Sequence, residues 1–329
     1  MSAEKFLEVR GLKKYFEVSR PGFFSRAAPR LVHAVDDVSF NLRRSEVIAL
    51  VGESGCGKST LALLLMGLEE PTDGVISFEG QVINHVSDSD RKDLRRKIQM
   101  VFQDPYESLN PTQTIEEVIN EPLEVHGIGE NKKERDQRVK KALEDAGLKP
   151  AETYLKRYPH ELSGGQRQRV VIAAALVLEP EIILADEPVS MLDVSIRAEI
   201  INLLADLRIT RKIAVIFITH DLGSVGFFAD RVAVMYLGRI VEIGTMLEVL
   251  EKPQHPYTKA LLSVIPVPNP RMRRERIILK GETPNPIDIP SGCRFHPRCP
   301  VAIDACKVSD PPFIKHSQTH QTACLLLVK

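Results

Sequence analysis

Short apolar runs, set apart by polar stretches rich in glycine or proline, organise this 329-residue chain. Residues 6–10 and 32–42 read as strands, separated by a Pro/Gly/Arg-containing loop at 19–30. The run 46–51 (EVIALV) is continuous rather than alternating, as expected of a strand buried on both faces. A glycine-rich turn follows it, then a helix over 61–68 and a strand at 98–102. Between about 104 and 161 the texture changes to charged, amphipathic helix with few β-branched runs. Alternation then resumes, with a helix at 165–178, a strand at 181–185, a helix at 195–209 and a strand at 213–218. Further strands fall at 232–234 and 239–242. Strands alternating with helices predict an α/β fold with a mostly parallel sheet, in which 104–161 is a helical subdomain. After about Pro253 the prolines at 266, 268, 270, 284, 286 and 290 mark a linker and a small appended module.

Composition narrows the function classes. Lys+Arg and Asp+Glu both total 44, so no global field draws the chain to nucleic acid or to an anionic membrane. The basic run 271–276 and the mixed-charge run 132–141 read as a solvated linker and an exposed helix face. No segment approaches the roughly 20 apolar residues that span a bilayer. The longest, 170–178, reads as a buried helix, and residues 1–10 lack an apolar signal core. The expectation is a cytoplasmic protein that serves any membrane process from the surface.

Residues 52–60 (GESGCGKST) carry the strongest chemistry. Gly52, Gly55 and Gly57, with Ser54 between them, let backbone N–H groups converge on phosphate oxygens without a side chain in the way. The loop opens a helix, whose N-terminal partial charge adds to the attraction. Lys58 then reaches the β- and γ-phosphates, the Ser59 hydroxyl ligates Mg²⁺, and Thr60 closes the motif. A second acidic strand end supports ATP chemistry. The apolar run 182–185 ends in Asp186 and Glu187, where Asp186 can hold Mg²⁺ and Glu187 can accept a proton from the attacking water. Residues 162–166 (LSGGQ) form a Gly-Gly turn opening a helix. Ser163 there serves as a second anion site or as a plain N-cap with Gln166 at the capping-box position, and both roles can coexist.

The pentapeptide matches the signature motif of ABC transporter ATP-binding subunits, which this chain resembles from about residue 6 to 250. The resemblance implies a P-loop NTPase cassette, with an antiparallel β subdomain and helical insertion beside the parallel core. It implies that two cassettes dimerise head to tail, Ser163, Gly164, Gly165 and Gln166 closing over ATP held by the partner. Gln103 matches the Q-loop glutamine that senses Mg²⁺ and the membrane subunits. Asp193 matches the D-loop, with Met191 in place of the usual small residue, and His220 the switch histidine on the γ-phosphate. Phe16 aligns best with the aromatic that stacks on adenine, Tyr15 being the alternative. The family divides the chain into a nucleotide-binding domain at 1–252 and an extension at 253–329.

That extension separates branches of the family. Residues 255–262 (HPYTKALL) and 293–300 (CRFHPRCP) look like the C-terminal extension of oligopeptide/dipeptide importer ATPases, and the loop insert before Leu31 with the string 110–115 looks most like the second of their two ATPase subunits. The implied partners are a sister ATPase forming a heterodimer, two membrane permeases and an extracellular binding protein. The implied location is the cytoplasmic face of the membrane. Cys293, Cys299, Cys306 and Cys324, spaced C-x5-C-x6-C-x17-C, can hold a [4Fe–4S] cluster or tetrahedral zinc. The paired hooks of zinc folds are absent, and the resemblance implies [4Fe–4S]. Cys56 is a loop filler with no catalytic role. A soluble ABC ATPase acting on nucleic acid or ribosomes is the competing class. It would favour two fused cassettes, a coiled-coil insertion or a basic surface, against one cassette, a short insertion and zero net charge here. Cargo is not legible, and oligosaccharide, nickel or glutathione stand beside peptides.

Overall fold

The computed structural model describes residues 6–18, 30–84, 86–226, 228–265 and 275–328. Most of the loop expected at 19–30, the first four residues of the basic run 271–276 and the prolines at 266, 268 and 270 lie outside them. The strands in chain order are β1 (Leu7–Val18), β2 (Arg30–Leu42), β3 (Val47–Val51), β4 (Asp73–Phe78), β5 (Gln81–Val82) and β6 (Ile98–Val101). They continue with β7 (Ile182–Asp186), β8 (Ala214–Thr219), β9 (Arg231–Tyr236), β10 (Arg239–Thr245), β11 (Phe313–Lys315) and β12 (Gln321–Ala323). Two compact units share them. The first comprises the described residues of 1–42, 48–84 and 219–329, the second those of 43–47 and 85–218.

In the first unit an antiparallel sheet runs in the order β2-β1-β4-β5. The long β1/β2 pairing, from Leu7 opposite Leu42 to Val18 opposite Arg30, buries Leu7, Val9, Leu12, Val35, Val38 and Leu42. A second set of strands begins with β3, every residue of which is buried. It pairs parallel with β9, Ile48 opposite Arg231 and Val51 opposite Val234. Beyond β9 the pairing is antiparallel throughout, β9 to β10, β10 to β12 and β12 to β11. The expected parallel character therefore stops at β9, and the sheet here is mixed. The described residues of the extension 253–329 belong to this unit and supply β11 and β12.

The second unit holds the parallel strands β6, β7 and β8, Ile98 opposite Ile182 and Ile182 opposite Ala214. Its helices are Gly164–Leu176 and Val194–Arg211, with Ile115–His126 and Lys132–Asp145 from the stretch expected to be helical. Short turns of helix at Pro105–Ser108 and Glu152–Leu155 complete that stretch. Thr114 and Glu117 form a reciprocal capping box at the start of Ile115–His126, and Gly127 ends it at φ 66°. The pattern missed the helix Asp88–Lys97 because Leu94 is its one apolar residue. Ser87 starts it by accepting from the Asp90 N–H at 3.3 Å.

Candidate functional site

The phosphate loop leaves β3, turns at 52–57 and enters the helix Lys58–Leu65. Two glycines are required by space. A Cβ at Gly52 would lie 2.2 Å from the Met235 carbonyl oxygen, and one at Gly57 2.0 Å from that of Ala34. Gly57 also takes φ 105°, which side chains rarely adopt. No side chain caps this helix, so its first N–H groups are left to an anion. Lys58 is 5% exposed, and its ammonium donates to the carbonyls of Gly52 at 2.8 Å and Glu53 at 3.0 Å. An ammonium has three donors, and the third meets only the Cys56 sulfur at 3.7 Å, a partner that a phosphate oxygen outcompetes. Burial pushes the Cys56 thiol up, which fits the filler role.

Glu53 is the loop residue that pattern reading passed over. Its N–H donates to the Tyr257 hydroxyl at 2.9 Å. Its carboxylate accepts from Arg298 at 2.6 and 3.1 Å and from Thr283 at 2.7 Å. Burial works against the charged carboxylate, yet the hydrogen bonds from Arg298 and Thr283 hold it below the usual range. The only sequence signal was the position of Arg298 within 293–300.

Near the first strands the two aromatics differ. The Tyr15 hydroxyl donates to Asp36 at 2.6 Å, and burial together with that bond pushes its pKa up to about 12. Phe16 is half-buried, with the Lys14 ammonium 4.7 Å from its ring centre. His220, exposed, follows β8.

In the second unit Val101 of β6 pairs with Ala185 of β7, so Gln103 and Glu187 both leave the carboxyl edge of these strands two residues later. Asp186 is buried and Gln103 exposed. Glu187 takes φ 46°, a strained conformation for a residue with a side chain. Its backbone is held on both sides. Its N–H donates to the Ile218 carbonyl at 2.9 Å, and its carbonyl accepts from the Ser190 hydroxyl at 3.0 Å. Ser163 caps the helix Gly164–Leu176, accepting from the Gln166 N–H at 3.3 Å, while the Gln166 side chain accepts from the Ser163 N–H at 3.0 Å. A Cβ at Gly165 would lie 2.5 Å from Ile196, whereas Gly164 has room. Asp193 caps Val194–Arg211, accepting from Ile196 at 3.0 Å, and Met191 is exposed.

The four tail cysteines are drawn together without forming a ligand set. Burial pushes Cys293, Cys299 and Cys324 up, and the neighbouring thiols add to the shift. Cys293 donates its N–H to the Cys306 carbonyl at 2.9 Å. Among the described residues, however, no group of three or more His, Cys, Asp or Glu is arranged to hold a metal ion. As placed, the thiols fit the composition of a cluster site but not its geometry.

Comparison with known proteins gives consistent matches. Residues 35–190 match the family model for ABC transporters, and residues 241–306 that for the oligopeptide/dipeptide transporter C-terminal region. The chain is 49% identical over 326 residues to the oligopeptide transport ATP-binding protein AppF of Bacillus subtilis (strain 168), covering 98% of each. It is 49% identical over 319 residues to the dipeptide transport ATP-binding protein DppF of Haemophilus influenzae, covering 97% of this chain and 95% of that one. Among solved structures, a dimeric ATP-binding cassette in a post-hydrolysis state with ADP and phosphate shares 29% identity and a TM-score of 0.64. That match covers 73% of this chain and 98% of the other.

Proposed function

We propose, on the premise that this chain belongs to the ATP-binding subunits of ABC transporters of the oligopeptide/dipeptide group, that it hydrolyses ATP to drive peptide import through membrane permeases. The observation that carries the cargo class is the region matched at 241–306, because ATP chemistry alone does not call for a peptide-transporter extension. Lys58 and the uncapped helix start bind the β- and γ-phosphates. Ser59, Asp186 and Gln103 are the residues that would hold Mg²⁺, which when bound neutralises phosphate charge. Glu187 accepts the proton of the attacking water, and His220 contacts the γ-phosphate. Phe16 stacks on adenine, a role supported by the Tyr15 ring already lying against His33, with ring centres 4.2 Å apart. Ser163, Gly164, Gly165 and Gln166 face the ATP of a second cassette, with Asp193 beside them. In this reading capping and anion binding coexist, since Ser163 accepts from one N–H and leaves the rest of the helix start available.

The partners proposed are a sister ATPase, two permeases and an extracellular binding protein, with this chain peripheral on the cytoplasmic face. No helix among the described residues is long and apolar enough to cross a membrane, which suits a subunit that docks on separate permeases. Co-purification with two permeases, and loss of labelled dipeptide or tripeptide uptake when the chain is deleted, are the expected results. Intact peptide uptake with lost oligosaccharide, nickel or glutathione uptake would reassign the cargo. Recovery with ribosomes or nucleic acid would move the chain to the soluble class.

The same reading extends to the tail. Cys293, Cys299, Cys306 and Cys324 are proposed to close on a [4Fe–4S] cluster, with zinc the alternative, on the ground of four cysteines within one short extension. Binding would require them to move closer and deprotonate. Anaerobically purified protein is then expected to contain iron and acid-labile sulfide in equal amounts. Zinc in their place selects the alternative, and neither metal sinks the proposal.

A further inference from the structure

The hydrogen bonds around Glu53 come from three separate stretches of the extension. Tyr257 lies in the helix Pro256–Ser263, Thr283 in the segment after it, and Arg298 in the turn between Cys293 and Cys299. Tyr257 is fully buried and fixes the Glu53 N–H, so that group is committed to the tail rather than to phosphate. Arg298, 9% exposed, closes a two-pronged fork on the carboxylate, and its NH1 also donates to the Thr283 hydroxyl at 3.1 Å. The Glu53 carbonyl accepts from Lys58. One loop residue thus joins the phosphate-binding lysine to the tail through consecutive hydrogen bonds.

The turn that carries Arg298 is itself rigidly held. Phe295 is buried against Tyr236 and Tyr257, with ring centres 5.2 and 5.4 Å away. Arg294 makes an ion pair with Asp36, and both side chains are buried. Within the turn, the His296 N–H donates to Cys293 and the Arg298 N–H to Phe295, at 2.9 and 3.0 Å. A rigid turn delivering a bidentate arginine is suited to preorganising a loop, because ligand binding then does not have to order it.

We infer that Arg298, with Thr283 and Tyr257, is a positioning residue of the nucleotide site, setting ATP affinity by holding Glu53 and through it the phosphate loop. This rests on the reading of 52–60 as the ATP site and adds to it a regulatory role for the extension. Coupling of this kind is reciprocal. Whatever shifts the Cys293–Cys299 turn weakens ATP binding, and bound ATP steadies the turn.

The test uses the full-length chain and a fluorescent ATP analogue. Arg298→Ala is expected to weaken nucleotide affinity by roughly tenfold, about the loss expected of a charge-assisted pair. Arg298→Lys keeps the charge without the fork and should lie between wild type and alanine. Glu53→Gln should resemble Arg298→Ala, and the double variant should be no worse than either single change. In steady-state hydrolysis the loss should appear in KM for ATP, with kcat changed by less than about twofold. A second readout is amide hydrogen exchange across residues 293–299, followed by peptide mass spectrometry. ATP should slow it in the wild type and not in Arg298→Ala. Unchanged affinity in a folded Arg298→Ala, additive losses in the double variant, or exchange at 293–299 indifferent to ATP in the wild type would each overturn the inference. A wild-type chain that binds no nucleotide overturns it differently, by removing the ATP-site reading beneath it.

Discussion

Glu187→Gln is expected to stop turnover while leaving ATP bound, lowering kcat by about 10²–10³-fold, within the range for removing a general base. Glutamine has the shape of glutamate but cannot accept the proton of the attacking water. The backbone geometry at this position is expected to survive the exchange. Residue 187 sits at φ 46°, pinned by the Ile218 carbonyl on one side and by Ser190 on the other. None of these contacts uses the carboxylate. The measurement pairs steady-state hydrolysis with gel filtration in ATP. The variant should retain nucleotide and shift toward a dimer, since closure no longer ends in hydrolysis. Turnover within about threefold of wild type, well below what a general base supplies, removes Glu187 from that role.

Lys58→Ala should act a step earlier, on binding. The ammonium is almost completely buried and braces the loop through Gly52 and Glu53. Alanine deletes both the charge facing the phosphates and that internal brace. Removing one partner of a buried, hydrogen-bonded charge pair costs about 2–5 kcal/mol, so affinity should fall by at least about 30-fold. Equilibrium titration with a fluorescent nucleotide reads this directly. Thermal unfolding without nucleotide shows whether the loop survives loss of the brace. Affinity within about threefold of wild type, below about 1 kcal/mol, would exclude 52–60 as the phosphate site. The two substitutions separate binding from chemistry.

Elements with a strong local pattern were legible at once. The run 46–51 is apolar throughout and became β3 at Val47–Val51, while 181–185 became β7 at Ile182–Asp186. The strand at 6–10 was cut short, because β1 continues to Val18 through Lys13, Lys14 and Glu17. Those residues are extended because β2 and β4 pair with them, and no hydrophobic period announces that. Strands β11 and β12, with three residues each, are too short to show a period and exist by pairing onto β10. The sheet of the first unit is already mixed at the antiparallel pairing of β9 with β10, both expected as strands, and β12 and β11 extend it.

What the sequence determined by itself is the chemistry written in neighbouring residues. The spacing of Gly52, Gly57 and Lys58 dictates a turn whose N–H groups converge, Asp186 and Glu187 must follow a buried strand, and Ser163 with Gln166 must cap a helix. Each depends on backbone geometry over a few residues, which local sequence controls. Tertiary structure alone decided how the phosphate loop is held. Glu53 and Arg298 are 245 residues apart, and neither is distinctive among a total of 88 charged side chains, 44 of each sign. Charge pairing at that separation carries no periodic signal, because it depends on where the chain returns in space. The fold brought the tail's arginine to Glu53 of the 52–60 loop, a pairing that neither the motifs nor the cysteines of the extension announced.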